Sequence, residues 1–434
     1  MTASIHLDPA APLLSVVIAT RNRVIYCQSA IESILAIPDT RLELVIQDNS
    51  DTRELADWVA CRASDARLRY RYTPPPLSSI GNFNAALELA SGEYVCLIGD
   101  DDGINPEILD AAAWAQAHHI DSIGGRCRVN YLWGGSGAPS TLFTRVGGAE
   151  MAIEPFVDTI SLVDVPQQMA ALMDNGGVYY LDFQLPKMYH GLVRRACLEQ
   201  IRSRTGHYVG GLSPDIYSSL AVACVAQRVA VTDYPLTIPG ACGASTSVVE
   251  GSIKRHSKRI EDAPHWRARE DYQWSPMVPR LYSVETIWSE SALVALAEMG
   301  RDDLVARFNL PRMAAFCFAN NRAVADILRR ELPAALRARG ENLAWGALRF
   351  GAGLASGPGP AFVRRVWNRV LLSAGVRTRL KLHDLPDMQA ASAALGAYLR
   401  AHNHSFQHCM RHFGASDAAR SVPASHLAGG HAPR

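Results

Sequence analysis

The chain has no CxxC pair of cysteines, no apolar run long enough to span a bilayer, and no excess of charge of either sign. Its nine cysteines are scattered, which predicts reduced thiols rather than a zinc ribbon or a disulfide scaffold. The N-terminus has no basic region followed by an apolar core, so we expect a cytoplasmic protein. A formal net charge of +1 argues against nucleic acid as a partner.

Apolar strands alternate with helical segments in the N-terminal part of the chain. The 434 residues are 48% apolar, which is enough for at least one large core. Apolar runs, the first of them rich in β-branched residues, predict buried strands at 13–20, 42–47, 68–72 and 94–98, with helices between them. This order predicts an α/β fold whose mostly parallel, twisted sheet is flanked by helices and binds ligands at the carboxyl ends of its strands.

Polar residues follow the predicted strands where such a site would form. The first strand runs into Thr20-Arg21-Asn22, the second into Asp48-Asn49-Ser50, and the fourth into Gly99-Asp100-Asp101-Asp102-Gly103. Three adjacent carboxylates repel one another and lose hydration when buried, and a divalent cation offsets both costs. The alternative is a solvated acidic turn that caps the next helix.

These segments, in this order and spacing, resemble the family-2 glycosyltransferases. The resemblance rests on SVVIATRN at 15–22, QDNS at 47–50, SIGNFNAA at 79–86 and ASGEYVCLIGDDD at 90–102. It implies the Rossmann-like GT-A fold, an inverting transfer of sugar, and a nucleotide-sugar donor. It covers about the first 110 residues well and the stretch to about residue 250 more loosely.

The resemblance also implies roles for individual residues. Asp48 would accept hydrogen bonds from the base or ribose of the donor. The D-x-D element falls on Asp100–Asp102: Asp102 and Asp100 would ligate Mn²⁺ or Mg²⁺, and Asp100 and Asp101 would also lie against the nucleotide-sugar. The remaining nucleotide-sugar residues would be Thr20, Arg21, Asn22, Asn82 and Asn84. The chain departs from the family pattern at Arg21, where many relatives have Tyr, and at 81–84, where many have an Arg before the last Asn.

Asp215 is the candidate catalytic base. It follows a Gly-rich turn and opens an apolar helix, where the family places its base, and a helix N-terminus favours the ionised carboxylate. The alternative is that Asp215 only caps that helix. His256 is a candidate third metal ligand, and the alternative is a solvated side chain in the basic run 254–259.

The rest of the chain is expected to add helices. We predict a GT-A catalytic domain over 1–275, divided into a nucleotide-binding half at about 12–110 and an acceptor-binding half at about 111–275. A helical C-terminal region would follow over 276–415, and a disordered tail over 416–434. Residues 361–381 are basic, contain Trp367 and lack acidic residues, which predicts either peripheral contact with the inner face of a membrane or a helix docked on the catalytic domain.

The sequence therefore predicts a metal-dependent glycosyltransferase that moves one sugar from a nucleotide-diphosphate donor, with a UDP-sugar favoured, to a saccharide or lipid-linked acceptor. A nucleotidyltransferase is the first alternative, but Ala19-Thr20-Arg21-Asn22 lacks the glycines of a phosphate loop. The second alternative is a non-catalytic relative that binds sugar-nucleotides.

Overall fold

A computed structural model of the protein describes residues 11–62, 64–135, 148–243, 259–269, 271–356 and 379–420. Its centre is an eight-stranded sheet in the order β3-β2-β1-β4-β10-β6-β11-β9. The strands of this sheet are β1 (Leu14–Thr20), β2 (Leu42–Asp48), β3 (Leu68–Tyr72), β4 (Tyr94–Ile98), β6 (Ser122–Gly125), β9 (Ile160–Leu162), β10 (Leu192–Arg194) and β11 (Val229–Thr232).

The predicted α/β class with a mostly parallel sheet is confirmed. Strands β1 to β4 are all parallel, and β11 is parallel to β6, whereas β10 and β9 run antiparallel to their neighbours. Register places Thr20 beside Asp48 and Ile18 beside Ile98. The polar segments that follow β1, β2 and β4 therefore meet at one edge of the sheet.

Helices cover both faces of this sheet. They are α1 (Val24–Leu35), α2 (Glu54–Ala60), α3 (Ser79–Leu87), α4 (Ile108–Ala117), α5 (Val165–Asp174), α6 (Arg195–Thr205) and α7 (Pro214–Ala223). Alternate residues of β1 enter opposite cores: Val17 packs with α5 to α7, and Val16 and Ile18 pack with α1 and α4. A strand buried on both faces is mostly apolar, which explains the apolar run that predicted β1; its buried Ser15 donates a hydrogen bond to Glu43.

The C-terminal region adds helices to both cores. Its helices are α8 (Val284–Glu298), α9 (Asp302–Arg307), α10 (Leu310–Asn320), α11 (Ala325–Ala338), α12 (Leu343–Ser356), α13 (Met388–Ala401) and α14 (Phe406–Arg420). Leu293 of α8 joins the core of α5 to α7, whereas Leu395 of α13 and Phe406 of α14 join that of α1 and α4. The C-terminal region is thus part of the layers around the sheet. Among the described residues, no helix has the length and apolar character to cross a bilayer.

Two details differ from the sequence-based boundaries. The predicted helical region 276–415 also contains a strand, β14 (Leu380–His383), which pairs with β8 (Glu150–Ile153). Helix α14 continues to Arg420, past residue 416, where we predicted the tail to begin. Strand β14 completes a four-stranded sheet with β8, β7 (Val129–Leu132) and β13 (Gly240–Ala241), while β5 (Gly103–Ile104) pairs with β12 (Thr237–Ile238).

Candidate active site

A cavity of about 800 Å³ opens at the carboxyl ends of β1 and β4 and extends to the N-terminus of α7. Local sequence explains the polar walls, because each of these strands ends in a polar turn. The predicted site residues that line the cavity are Thr20, Arg21, Asn22, Asn82, Asp100, Asp101, Asp102 and Asp215. The structure therefore brings the acidic turn and the candidate base to the same cavity.

Asp100 is held by two donors that follow β1. Thr20 Oγ1 donates a hydrogen bond of 2.6 Å to Asp100 Oδ2, and the Arg23 guanidinium pairs with Asp100 Oδ1. The same guanidinium lies 3.3 Å from Asp101 Oδ1. Burial raises the pKa of Asp100 to about 6, although Arg23 opposes this shift. Arg23 is thus a resident cation within the acidic turn.

Asp102 accepts hydrogen bonds from two backbone amides. The N–H groups of Gly99 and Gly240 each lie 2.6 Å from one of its carboxylate oxygens. Tyr189 Oη and His190 Nε2 both lie 3.4 Å from Asp102 Oδ2. Burial and the neighbouring Asp101 raise the pKa of Asp102 well above its usual range. A cation at this carboxylate would therefore relieve an electrostatic cost.

His190 is neutral at physiological pH, because burial lowers its pKa to about 3, with a further contribution from Lys187. Its Nδ1 lies 3.1 Å from Thr237 Oγ1 on β12. A neutral imidazole offers one ring nitrogen as an acceptor or a metal ligand.

Asp215 lies in the first turn of α7, after Ser213 and Pro214. Burial raises its pKa to about 6, and a hydrogen bond from Tyr180 together with the charge of Lys187 limits this rise. Lys187 donates to the Gly125 carbonyl oxygen at 2.7 Å. At pH 7 the Asp215 carboxylate is mostly ionised and has the proton affinity that suits a general base.

The donor set of the acidic turn suits a divalent cation that is shared with a ligand. Within the described residues, no three His, Cys, Asp or Glu side chains converge into a complete metal cage. Mg²⁺ and similar ions are commonly held by one or two carboxylates plus phosphate oxygens of a substrate. Asp102 and Asp100, which line the cavity, fit that mode of binding.

Three buried polar atoms around the cavity have no hydrogen-bond partner among the described residues. They are Asn82 Oδ1, Arg21 Nε and Arg23 Nε. Asn82 uses its amide nitrogen to donate to the Thr20 carbonyl oxygen at 3.1 Å. Buried polar groups are normally paired, so these three atoms are exceptions beside the cavity.

The other candidate residues lie elsewhere. Asp48 is fully buried and accepts from Tyr70 Oη at 2.7 Å and from the Ser50 amide at 2.8 Å. Neither Asp48 nor Asn84 is among the residues that line the cavity. Asn84 bridges to the backbone instead, since its side chain accepts from the amides of Tyr208 and Val209. His256 and residues 361–378 are outside the described part of the chain.

Sequence reasoning missed five side chains that lie against the acidic turn or Asp215: Arg23, Tyr180, Lys187, Tyr189 and His190. Arg23 had a usable signal, because it follows Thr20-Arg21-Asn22 at the end of a buried strand. The other four had none, because their contacts with Asp102 and Asp215 join segments that are distant in the sequence.

Residues 15–171 match the family model described as Glycosyl transferase family 2. We call residues 15–171 the family-2 segment; it is about a third of the chain. The family-2 segment contains β1, β2, β4 and the acidic turn. It ends before Asp215, so the assignment of the base rests on the geometry of the cavity.

Known relatives match the chain over a short length. Poly(ribitol-phosphate) beta-N-acetylglucosaminyltransferase TarS of Staphylococcus aureus is 31% identical over 134 residues, which are 30% of this chain and 23% of TarS. A GalNAc(5)-diNAcBac-PP-undecaprenol beta-1,3-glucosyltransferase of Campylobacter jejuni is 33% identical over 106 residues, which are 23% of this chain and 32% of that enzyme. The matches span less than two thirds of either relative.

Two solved structures resemble the fold at low identity. The crystal structure of S. aureus TarS 1-349 in complex with UDP-GlcNAc covers 79% of this chain and 89% of that chain, with 18% identity and a TM-score of 0.43. The mannosyltransferase PcManGT from Pyrobaculum calidifontis, in complex with GDP-Man and Mn²⁺, covers 83% of this chain and 88% of that chain, with 14% identity and a TM-score of 0.36.

Proposed function

We propose that the protein is a metal-dependent, inverting glycosyltransferase. It would move a single sugar from a nucleotide-diphosphate donor to a saccharide or lipid-linked acceptor in the synthesis of a polysaccharide or glycoconjugate. A UDP-sugar is the favoured donor, in line with the name of the relative TarS, an N-acetylglucosaminyltransferase. Peripheral membrane contact through 361–381 remains a prediction from the sequence.

One observation carries this proposal: Asp215 lines the same cavity as the acidic turn Asp100–Asp102. An inverting transfer needs a base on the acceptor side and a site for the leaving diphosphate on the other side. The acidic turn and Asp215 belong to different elements, β4 and α7. A turn that only caps a helix would not need this second carboxylate.

The transfer step assigns a role to Asp215. Its carboxylate accepts the proton of the acceptor hydroxyl while the hydroxyl oxygen forms a bond to the anomeric carbon. The bond from that carbon to the diphosphate breaks, and its electron pair leaves with the nucleotide diphosphate. Tyr180 holds the base through its hydrogen bond, and Lys187 favours the ionised carboxylate.

The donor would bind along the wall formed by Thr20, Arg21, Asn22 and Asn82. All four residues line the cavity beside the acidic turn. Asp102 and Asp100 would hold Mn²⁺ or Mg²⁺, which when bound supplies positive charge beside the leaving diphosphate.

Calorimetric titration of UDP and GDP, each with and without Mn²⁺, tests the donor site. We expect UDP to bind in the presence of Mn²⁺ and Asp102→Ala to abolish this binding. The matched control is Asp303→Ala, which removes an exposed carboxylate paired with Arg301 and should bind UDP as the unaltered protein does.

The outcomes separate the parts of the proposal. Binding of GDP but not UDP would make a GDP-sugar, rather than a UDP-sugar, the favoured donor. Equal binding of UDP with and without Mn²⁺ would show that the donor site does not need a metal ion. Failure of both nucleotides under both conditions would leave the acidic turn with a structural role and would overturn the donor site.

A further inference from the structure

The side chain of Arg23 holds the acidic turn through only one of its nitrogens. Arg23 Nη1 pairs with Asp100 Oδ1 and lies 3.3 Å from Asp101 Oδ1. Nη2 donates to the sulfur of Cys242 at 3.4 Å, and Nε has no hydrogen-bond partner among the described residues. A guanidinium binds a carboxylate most strongly through two parallel N–H groups, so this ion pair is weaker than a bidentate one.

Arg23 is placed so that its side chain can leave Asp100 without disturbing the fold. Its backbone forms the N-cap of α1, and its side chain makes no capping hydrogen bond. The side chain is 18% exposed and belongs to the wall of the cavity that also contains Asp215. Rotation about the side-chain bonds would therefore move the guanidinium from Asp100 into the cavity.

Both carboxylate oxygens of Asp100 already accept from side chains of the protein. Thr20 Oγ1 donates to Oδ2 at 2.6 Å, and Arg23 pairs with Oδ1. A metal ion on Oδ1 would lie beside the guanidinium. Two cations this close repel each other, and the repulsion is stronger where burial excludes water, as it does around Asp100, which is 2% exposed.

We infer that Arg23 is a positioning residue that competes with the metal ion for Asp100 and thereby makes tight metal binding depend on the donor. Without the donor, the ion would be held by Asp102 only, which accepts from the neutral backbone amides of Gly99 and Gly240. With the donor, Arg23 turns to the diphosphate oxygens, which suit a guanidinium, and Asp100 becomes the second carboxylate. This inference rests on the proposed function, because it concerns how the same site fills.

Titration of Mn²⁺ alone, with the free ion measured by electron paramagnetic resonance, tests the competition. Arg23→Gln removes the positive charge, and we expect the affinity for Mn²⁺ without nucleotide to rise at least about tenfold. A residue that only supported the fold would lower this affinity when replaced. Arg23→Lys keeps the charge and should bind Mn²⁺ within about threefold of the unaltered protein.

A double-mutant cycle shows whether the gain in affinity comes through Asp100. Asp100→Asn alone should change the affinity for Mn²⁺ by less than about threefold, because Arg23 already occupies that carboxylate. In the Arg23→Gln background, Asp100→Asn should remove the gain of at least about tenfold. Equal effects of Asp100→Asn in the two backgrounds would mean that Arg23 acts only through its charge at a distance, and would overturn the competition.

Arg21→Gln is the matched control. Arg21 also follows β1 and lines the cavity, but it pairs with Asp51 at 3.1 Å, so this variant should change the affinity for Mn²⁺ by less than about threefold. Melting temperatures with and without saturating Mn²⁺ provide a second readout if Arg23→Gln is unstable without metal. The rise on adding Mn²⁺ should be larger in Arg23→Gln than in the unaltered protein, and an equal or smaller rise would contradict the inference.

The outcomes separate this inference from the proposed function. Failure of Mn²⁺ to bind, alone or with UDP or GDP, would overturn the metal of the proposed function and this inference with it. If Mn²⁺ binds with UDP, but Arg23→Gln leaves the affinity for Mn²⁺ alone unchanged, the donor site stands and the role of Arg23 is wrong. UDP should also tighten Mn²⁺ binding by a smaller factor in Arg23→Gln, because no guanidinium has to be released first.

Discussion

Replacement of Asp215 by Asn tests both the proposed catalytic base and the cost of its buried charge. The substitution keeps the size of the side chain and removes its charge. A base with a buried carboxylate costs the native state free energy whenever it is ionised. Asn is as good an N-cap as Asp, and the N-cap of α7 is Ser213, so this substitution removes the charge without removing a cap.

The magnitude follows from the pKa of Asp215, which burial raises from 3.8 to about 6. Each pKa unit corresponds to about 1.4 kcal/mol, so the ionised carboxylate destabilises the native state by about 3 kcal/mol at most. The wall of the cavity leaves Asp215 partly exposed, and solvent screening reduces this figure to about 1–3 kcal/mol.

The sign and the pH window are fixed by the direction of the shift. Below pH 3.8 Asp215 is protonated in both the native and the unfolded state, and its buried side chain carries no charge. The native state loses free energy of stabilisation as the pH rises from 3.8 to about 6, because the unfolded state ionises first. Asp215→Asn should therefore unfold at a higher denaturant concentration than the unaltered protein at pH 7–8, and the difference should shrink as the pH falls toward 4. Urea unfolding at several pH values measures this.

Asp215→Asn should lose most of its transfer activity and still bind UDP. A missing general base lowers the rate by about 10²–10⁴, while UDP binding should change by less than about twofold because Asp215 lies on the acceptor side. In the unaltered protein, kcat/KM should rise with pH through about 6. Release of UDP from UDP-sugars, followed against pH, provides the assay.

The exposed Asp302, in the first turn of α9, provides the matched control. Asp302→Asn should change stability by less than about 0.5 kcal/mol and leave the rate unaltered. If Asp215→Asn instead retained the rate, Asp215 would not be the base and the proposed mechanism would be wrong.

Two further predictions concern residues that support the site. Gly240→Ala should abolish UDP binding and lower stability by at least about 1–3 kcal/mol, because a Cβ there would lie 1.8 Å from the Asp101 carbonyl oxygen. The control is Gly351→Ala, which has open space around it and should bind UDP normally. Lys187→Gln should raise the pKa of Asp215, because the Lys187 charge lowers it. The acid limb of the plot of kcat/KM against pH should then move to higher pH. An acid limb that does not move would exclude this role of Lys187.

The parts of the fold that the sequence predicts are those with strong local signals. Strands β1, β2 and β4 lie in the middle of a sheet that is covered on both faces, so most of their positions are apolar. Parallel register then places the residues that follow them at one edge. This is why Thr20 and Asp100, far apart in the sequence, were expected together and form a hydrogen bond.

The features that the sequence does not predict depend on contacts between segments that are distant in the chain. Tyr70 binds Asp48 because β3 is the parallel neighbour of β2, and a five-residue strand carries no signal for that pairing. The C-terminal contacts are more distant: the backbone amide of Phe406 donates to Glu107, at the start of α4. Periodicity predicts such helices but not the face of the sheet on which they pack.

The electrostatics of the site indicate that it is shaped for a ligand at a cost to stability. Asp100, Asp102 and Asp215 all have a raised pKa because burial removes water from their carboxylates. Asparagine at these positions would avoid that cost, so a chain selected for stability alone would not keep three such carboxylates around one cavity. Arg23 offsets part of the charge, at Asp100 and Asp101. The charge that remains, at Asp102, is where a bound cation would lower the free energy of the native state most.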